Sequence, residues 1–554
     1  MSAAPTPQRD KTAVPRVPAG TSGPPASGAA TSVGTGGWAA TAARYAPAGV
    51  VAAAMLVLGF WGIARHNSMG NDEVATRWAA LLGLRELAHL LGHLDAVHGL
   101  YYLLMHGWMA LGTTPTVMRI PSVIAMTVAA VLIVVIGRRL TGSGWVGLFA
   151  GLIMVLTPSI SFYAQTARSY AMVFACVLGS TLALLYALEA EAQTGGRRRS
   201  LRWRWLAYAG LVALGGYLNE MSLLVLAAHA VTVLLARYGR PTFEHWAAAA
   251  AGGAVLVVPV ALLSIKQHVA IGWINPPGLT DLRVLVQDYF GYEAVAAVLV
   301  IICAVVALLP PPGTWRRGPG AAPAGAEPEP AWWRGRGVSL PSVAAPLLVL
   351  PAGILLLESL ILRPLYVDRY VLYGEAGAAL LAGAGIYRIG RWLRDETGQR
   401  VLVWAPGVIV CLSLLVLQLA AQHYVRTPGS RRYDYGGPSR YVGAHARPGD
   451  GIIFLGRFYR KARLAYPGDF RNTTDFAVAR SPLQAGNFQG RDKPSAAVLP
   501  LMLDRRRIWV FGGHPSQRRR PGLGREESLT LLSHFRLIRR KQFHNILLTL
   551  WQRR

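Results

Sequence analysis

Long apolar blocks, separated by short polar or basic segments, dominate the chain between residues 46 and 421. A helix needs about 20 consecutive apolar residues to cross the hydrocarbon core of a bilayer. The pattern therefore predicts an all-α polytopic membrane domain over residues 45–421. We expect about eleven spans, placed at roughly 46–64, 118–137, 144–163, 170–188, 204–218, 221–236, 246–264, 292–309, 338–361, 370–387 and 401–421.

The external loop predicted over residues 65–117 departs from this pattern. It contains NDEVATRWAALLGLRELAHLLGHLDAVHGLYYLLMHGWMALG, where apolar residues recur at helical spacing but are interrupted by His, Asp, Glu and Arg. The apolar stretch from Tyr101 to Leu111 is too short to cross a bilayer. We therefore expect helices that lie in the outer membrane interface.

The chain after residue 421 has the pattern of a small α/β domain. RYVGAHARPGDGIIFLG predicts a helix, a turn and a strand, and DRRRIWVFGG predicts a further strand. The final FRLIRRKQFHNILLTLWQRR predicts a pair of strands. We assign residues 422–554 to this domain. The Ala/Pro/Gly-rich residues 1–44 predict a disordered tail, and residues 310–337 a flexible cytoplasmic loop.

Basic residues set the predicted orientation. The chain carries 56 Lys and Arg against 27 Asp and Glu, and the positive charges gather in alternate connections between apolar blocks. Cytoplasmic connections of membrane proteins are enriched in Lys and Arg. We therefore expect a multi-pass protein of the plasma (cell) membrane, with a cytoplasmic N-terminus and an extracytoplasmic C-terminal domain. The same rule explains the basic balance without nucleic acid as a partner.

The first candidates for chemistry are Asp72 and Glu73, which follow the first span on its outer side. Adjacent carboxylates at a membrane edge suit an acid or base that acts on a head group. The alternative is a solvated helix start, because Asn71 and Asp72 are both good N-cap residues. Asp95, His98 and Tyr101 form a second polar group on the same loop.

Two later segments place cations on the outer face, where the orientation rule disfavours them. SFYAQTARSYAMV contains Gln165, Arg168 and Tyr170, and RPLYVDRYVLYGEAG contains Arg369 and Tyr370. A guanidinium matches the geometry of a phosphate. The alternative is an arginine that extends its charge to the interface while its stem stays in the bilayer.

Motifs of several other enzyme classes are absent from the sequence. It contains no Walker loop, no HExxH, no nucleophile elbow and no Rossmann fingerprint, which disfavours a soluble nucleotide donor. The cysteines Cys176, Cys303 and Cys411 lie inside apolar blocks and lack metal-type spacing. We assign no metal ligands and no cofactor, and leave a divalent-metal requirement open.

Four segments, taken in chain order, resemble motifs of the protein O-mannosyltransferase-like, family 39-type glycosyltransferases of the GT-C superfamily. NDEVAT resembles their Asp-Glu motif, SFYAQTARSYA their Gln-x-x-Arg-x-Tyr segment, and RPLYVDRYVLY their late external Arg-Tyr motif. RRYDYGGPSRYVGAHARPGD resembles the start of the C-terminal domain in many bacterial members. The chain departs from the family at His98-Gly99-Leu100, where His-Pro-Pro is common.

The resemblance implies transfer of one monosaccharide, mannose-like or a pentose, from a polyprenyl-phosphate donor to an extracytoplasmic acceptor hydroxyl with inversion. The acceptor is a glycan, a lipid or a protein, and membrane lipids surround the enzyme. It implies Asp72 as general base with Glu73 beside it. The donor phosphate would be bound by Gln165, Arg168, Tyr170, Arg369 and Tyr370, and Asp95, His98 and Tyr101 would form an acceptor or first-loop site.

A polytopic transporter or a flippase for lipid-linked sugars is the main alternative, and a non-catalytic cell-wall scaffold is another. Transporters often contain internal repeats with ionisable groups near the middle of the membrane. This sequence shows no such repeat, and its polar residues collect towards one face. The pattern therefore favours the glycosyltransferase.

Overall fold

The computed structural model describes residues 35–64, 68–193, 198–267, 272–309, 337–431, 433–513 and 525–554. Residues 45–554 form one compact unit. Helix α1 begins at Thr35, inside the segment predicted to be disordered, because alanines with high helix propensity precede the apolar block. Residues 1–34 of that tail, and residues 310–336 of the predicted loop, lie outside the described residues.

As far as residue 424, the described part of the chain is mainly helical. They are α1 Thr35–Phe60, α2 Asn71–Ala80, α3 Leu84–His93, α4 Gly99–Trp108, α5 Pro115–Thr141, α6 Gly144–Leu156, α7 Pro158–Ala164, α8 Tyr170–Gln193, α9 Arg198–Leu218, α10 Val225–Ala236, α11 Arg240–Lys266, α12 Leu279–Phe290, α13 Ala294–Leu308, α14 Leu340–Ile361, α15 Glu375–Thr397, α16 Ala405–Leu417 and α17 Leu419–Tyr424. Each predicted apolar block contains a helix. The predicted external loop contains the short helices α2, α3 and α4.

Four described helices, α5, α8, α11 and α14, are long and apolar enough to cross a membrane by themselves. The number rises to six if two bent pairs each form one span: α6 with α7, bent by 71°, and α12 with α13, bent by 67°. The apolar parts of α1, α10 and α16 are shorter. The structure therefore confirms a mostly helical chain with several apolar helices, whereas eleven spans remain a prediction.

The bend between α6 and α7 directs the chain towards the candidate site. Thr157 has an extended backbone (φ −70°, ψ 123°), which is the conformation that a following proline favours. Pro158 then starts α7 without needing an amide hydrogen-bond partner. The block predicted as one continuous span over residues 144–163 is therefore broken near its C-terminal end. The break places residues 165–169 in a loop before α8.

Helix α15 packs at the centre of the helical part through close backbone contacts. A Cβ atom on Gly385 would lie 1.8 Å from the carbonyl oxygen of Cys303 in α13, and one on Gly383 would lie 2.7 Å from the amide nitrogen of Ala150 in α6. Small residues allow helices to approach this closely, as is common in membrane proteins. The helices that flank the site are thereby held together without long side chains.

The C-terminal part contains helices and a mixed sheet, as the sequence pattern predicts. Its elements are α18 Gly436–His445, β1 Asp450–Phe454, α19 Lys461–Ala465, β2 Thr473–Asp475, β3 Val478–Arg480, β4 Arg491–Asp492, α20 Ser495–Leu503, β5 Arg507–Phe511, α21 Arg525–His534, β6 Phe535–Gln542 and β7 Leu547–Arg553. The main sheet has the order β2-β1-β5-β7-β6. Strand β1 runs parallel to β2 and β5, and β7 runs antiparallel to β5 and β6.

Alternate residues of the central strands face different cores. Ile453 and Ile508 pack with α20 and α21 in a separate cluster. Ile452 and Trp509 belong to the large buried cluster that also contains Val74 of α2. Because successive strand residues point to opposite faces, one face of the sheet joins the helical core. The domain boundary predicted at residue 422 stays a prediction.

Candidate active site

Helix α2 begins in a way that leaves Asp72 available for chemistry. Gly70 is the N-cap residue, and its amide donates to Glu73 Oε2 at 3.1 Å. Glu73 therefore supplies the capping acceptor that the sequence alternative assigned to Asn71 or Asp72. The carboxylate of Asp72 is not needed to satisfy the helix terminus.

Asp72, Tyr170 and Arg369 come together from three distant parts of the chain. The Tyr170 hydroxyl donates to Asp72 Oδ2 at 3.1 Å and accepts from Arg369 Nε at 2.8 Å. Arg369 Nε also lies 3.7 Å from Asp72 Oδ2. The side chain of Asp72 is 34% exposed and that of Arg369 is 21% exposed, so both remain accessible.

The electrostatic surroundings keep Asp72 ionised. Burial by itself would raise the pKa of Asp72, but the positive charge of Arg369, followed by that of Arg168, outweighs burial and holds the pKa below its usual value of 3.8. A carboxylate beside a guanidinium, both partly open, is able to accept a proton while the cation stabilises a nearby anion.

Glu73 lies on the buried side of the same helix turn. Arg119 of α5 donates to it through Nε at 2.7 Å and Nη2 at 2.9 Å, and the amide of Ala167 donates to Oε1 at 3.1 Å. Burial would raise the pKa of Glu73, but Arg119 and Arg431 outweigh it and lower the pKa to about 2. With a residue exposure of 1%, Glu73 joins α2, α5 and the loop before α8. These contacts favour a positioning role over contact with an acceptor.

Arg119 is a residue that the sequence interpretation missed. It lies one turn into an apolar span and is 5% exposed. It also donates to the backbone carbonyls of Ile63 at 3.0 Å and Ser68 at 2.8 Å. A charged residue inside an apolar block needs a partner, and this rule could have directed attention to Glu73.

Arg168 forms a second charged group with residues of the first loop. It donates through Nη1 to the Tyr102 hydroxyl at 2.7 Å, and its Nη2 lies 3.3 Å from Asp95 Oδ2. The Tyr102 hydroxyl in turn donates to Asp95 Oδ2 at 2.7 Å. Asp95 adopts a left-handed backbone (φ 58°), which Asp tolerates better than most residues. The structure thus brings together the predicted Asp95 and Arg168, and adds Tyr102.

His98 and Tyr101 lie inside the protein near this group. His98 is 4% exposed, and burial, followed by the charge of Arg168, lowers its pKa to about 3. His98 is therefore neutral, and its Nδ1 lies 3.5 Å from the Ser169 hydroxyl. Tyr101 is fully buried, and within the described residues its hydroxyl has no hydrogen-bond partner. Contact of either residue with an acceptor stays a prediction.

Gln165 and Tyr370, both predicted to bind the donor, differ in their surroundings. Gln165 Nε2 donates to the carbonyls of Gly59 at 2.9 Å and Trp61 at 2.8 Å, so it satisfies the C-terminal end of α1. We therefore do not include Gln165 in the proposed donor site. The ring of Tyr370, which is half-buried, lies 5.8 Å from the guanidinium carbon of Arg369.

The C-terminal part contacts the segment that carries Asp72, which the sequence interpretation did not foresee. The Tyr435 hydroxyl donates to Asn71 Oδ1 at 2.9 Å, directly before Asp72. The Tyr466 hydroxyl accepts from the Met69 amide at 2.8 Å. These hydroxyls fix the entry into α2 from outside the membrane helices. Among the residues that the structure describes, no three His, Cys, Asp or Glu side chains gather as a metal site.

Comparison with known proteins agrees with this architecture. Residues 99–264 match the family model described as dolichyl-phosphate-mannose-protein mannosyltransferase. The chain is also similar in structure to ArnT from Cupriavidus metallidurans in the apo state, with a TM-score of 0.58 and 12% identity over 92% of this chain and 98% of that chain. The chain resembles the GT-C glycosyltransferases. This confirms the resemblance drawn from the sequence motifs.

The chain is also similar to a second solved structure of ArnT. ArnT from Cupriavidus metallidurans bound to undecaprenyl phosphate matches with a TM-score of 0.53 and 12% identity, over 93% of this chain and 98% of that chain. At this identity the likeness establishes the fold. No curated protein matches the chain in sequence. The GT-C-like fold and the apolar helices make the chain a multi-pass membrane protein.

Proposed function

We propose that the protein is a membrane glycosyltransferase that moves one monosaccharide, mannose-like or a pentose, from a polyprenyl-phosphate donor to an acceptor hydroxyl outside the cytoplasm. The observation that carries the proposal is the 3.7 Å approach of Arg369 Nε to Asp72 Oδ2, with the Tyr170 hydroxyl bridging both side chains. The ligand of the similar ArnT structure, undecaprenyl phosphate, supports a polyprenyl-phosphate donor.

In the proposed reaction Asp72 acts as the general base. Its carboxylate accepts the proton of the acceptor hydroxyl while that oxygen forms a bond to the anomeric carbon. The bond between the anomeric carbon and the phosphate oxygen breaks, and its electron pair leaves with the polyprenyl phosphate. Attack from the side opposite the leaving group inverts the anomeric centre. The leaving phosphate gains negative charge, which Arg369 stabilises.

Because Arg369 lies beside Asp72, the pKa of Asp72 also depends on whether a donor is bound. In the free protein Arg369 is the largest of the charges that lower the pKa of Asp72. A donor phosphate that pairs with Arg369 brings negative charge close to Asp72. The pKa of Asp72 therefore rises when the donor binds, because a nearby like charge disfavours the ionised form. Asp72 becomes a stronger base when an acceptor is to be activated.

Purified protein tests the proposal when incubated with a panel of labelled undecaprenyl-phosphate sugars and hydroxyl acceptors. We expect release of undecaprenyl phosphate by the wild type and a loss of about 10²–10⁴-fold in Asp72→Asn, the usual contribution of a general base. Asp504→Asn is the matched control, because Asp504 is an exposed carboxylate of the C-terminal part. Wild-type turnover in Asp72→Asn would contradict the assignment. Sugar movement without release of the phosphate would instead indicate a flippase.

A further inference from the structure

Helix α19 of the C-terminal part lies against α2, the helix that carries Asp72. Arg77 of α2 donates through Nη1 to the carbonyl of Leu464 in α19 at 3.3 Å. The ring of Trp78 also meets that of Phe488 edge to face, with centroids 5.3 Å apart. The contacts hold this part of the chain, including α19 with Lys461 at its start, against the helix that carries Asp72.

The ammonium group of Lys461 is buried without an anionic partner. The residue is 9% exposed, and Nζ lies 4.8 Å from the ring centroid of Phe458 and 5.3 Å from that of Phe488. No hydrogen bond or ion pair joins it to any residue within the described ranges. Its neighbour Arg460, by contrast, pairs with Asp475 and with Asp492, both at 2.6 Å.

A buried ammonium without an acceptor is costly, and the aromatic rings offset only part of that cost. Burial lowers the pKa of Lys461, whereas Asp72 and Asp95 act in the opposite direction. Lys461 is itself one of the charges that lower the pKa of Asp72. The side chain therefore contributes to the electrostatics of the site although it belongs to another part of the chain.

The other two cations of the site already have oxygen partners. Arg168 donates to Tyr102 and lies beside Asp95, and Arg369 donates to Tyr170 and lies beside Asp72. Within the described residues, the ammonium of Lys461 has no such oxygen partner and lies beside two aromatic rings. A substrate anion would therefore give Lys461 the oxygen partner that it lacks, in addition to any contact of that anion with the partly exposed Arg369.

We propose that Lys461 binds the phosphate of the polyprenyl-phosphate donor, so that the C-terminal domain supplies a cation to the active site. The inference rests on the proposed function. A phosphodiester has two non-bridging oxygens, so Arg369 and Lys461 are able to bind one each. When the bond to the sugar breaks, the phosphate gains a second negative charge. The contribution of Lys461 then increases towards the transition state.

The direct test is the binding of undecaprenyl phosphate to Lys461→Met and Lys461→Arg in detergent. We expect Lys461→Met to weaken binding about tenfold or more, as for a lost hydrogen bond to a charged group. Lys461→Arg should restore most of the affinity. Binding of the uncharged undecaprenol should be the same in all variants. Turnover should show a larger fall in kcat than rise in KM for the donor.

Lys541→Met is the matched control. Lys541 belongs to the same domain and also lies over two aromatic rings, at 4.5 Å from Tyr441 and 5.6 Å from Phe543. It is not among the charges that act most strongly on Asp72. Its replacement should leave undecaprenyl-phosphate binding unchanged. If thermal melting shows that Lys461→Met does not fold, Lys461→Gln serves in its place.

Unchanged affinity of a folded Lys461→Met protein would overturn the inference while leaving the proposed function intact. An effect on the acceptor KM alone would also overturn it, because Lys461 would then serve the acceptor. Wild-type protein that neither binds undecaprenyl phosphate nor releases it from any donor would instead refute the proposed function, and the inference with it.

Discussion

Asp72 and Glu73 are consecutive residues of α2, yet their carboxylates lie in opposite environments. The side chain of Asp72 is 34% exposed beside Arg369, whereas that of Glu73 is 1% exposed and bound by Arg119. Successive helix residues are separated by about 100° around the axis, so one faces the site and the other the core. Asp72 is therefore available for chemistry, whereas Glu73 holds neighbouring elements together.

Loss of the Glu73 charge should destabilise the protein. Glu73→Gln keeps the side-chain shape and an oxygen for the Gly70 amide, but it leaves Arg119 buried without a counter-charge. Breaking a buried pair in this way costs about 3–5 kcal/mol, and we expect a clearly lower Tm in detergent. Adding Arg119→Met should recover part of the loss, since the isolated charge is then removed.

Glu86→Gln is the control for this experiment. Glu86 accepts from the Gly83 amide at 3.1 Å, which is the same capping contact, but at an exposed position. Its replacement should leave the Tm almost unchanged. A Tm for Glu73→Gln that equals the Tm of Glu86→Gln would contradict a structural role for Glu73.

Removal of Arg369 should shift the pH dependence of the reaction. The protein needs Asp72 ionised, so kcat/KM falls as the pH decreases through the pKa of Asp72 in the free protein. That pKa lies below 3.8, because Arg369 and the other cations outweigh the effect of burial. Without Arg369, less positive charge opposes the effect of burial, so the pKa of Asp72 rises. We expect Arg369→Met to move the acid limb of kcat/KM upwards by about one to three pH units, besides lowering kcat.

Arg240→Met provides the comparison for that pH profile. Arg240 is an exposed arginine, paired with Glu244 one helix turn away, and it is not among the charges that act most strongly on Asp72. Its acid limb should coincide with that of the wild type. If Arg369→Met also keeps the wild-type limb, Arg369 does not control the ionisation of Asp72.

Local signals in the sequence point to several residues that the structure brings close together. Charged residues next to apolar blocks select Asp72, Arg168 and Arg369. In the structure Arg369 contacts Asp72, and the charge of Arg168 acts on Asp72 from the neighbouring group. The helix, strand and strand pair of the C-terminal part followed from periodicity. These features depend on residues close to one another in the chain.

Features that depend on distant residues were not predicted. Periodicity cannot show that Tyr435 would contact Asn71, or that Lys461 would lie near Asp72, since hundreds of residues separate each pair along the chain. The bend at Thr157 was also missed, although Pro158 marks it in the sequence, because the apolar residues on both sides favour one continuous span. Tertiary packing determines the two long-range contacts, and only the folded chain shows them.

The membrane orientation can be tested by cysteine labelling in intact cells. Charge distribution predicts the C-terminal domain outside and the connection after α15 inside. A cysteine in place of the exposed Asp504 should react with a membrane-impermeant maleimide. A cysteine in place of the exposed Glu396 should react only after permeabilisation. The opposite pattern would place Asp72 on the cytoplasmic side and would exclude an extracytoplasmic acceptor.

The hydroxyl of Tyr102 should be important for turnover although it does not contact Asp72. It accepts from Arg168 Nη1 at 2.7 Å and donates to Asp95 Oδ2 at 2.7 Å. Tyr102→Phe removes both bonds and leaves a buried donor and a carboxylate oxygen less well satisfied, which costs about 1–3 kcal/mol. Because Arg168 is then less firmly held near Asp72, we expect kcat to fall about tenfold, with a modest decrease in Tm. Tyr424→Phe is the control, since the exposed Tyr424 donates only to the carbonyl of Gly429 at 3.0 Å. Equal kcat values for the two variants would show that the position of Arg168 does not depend on Tyr102.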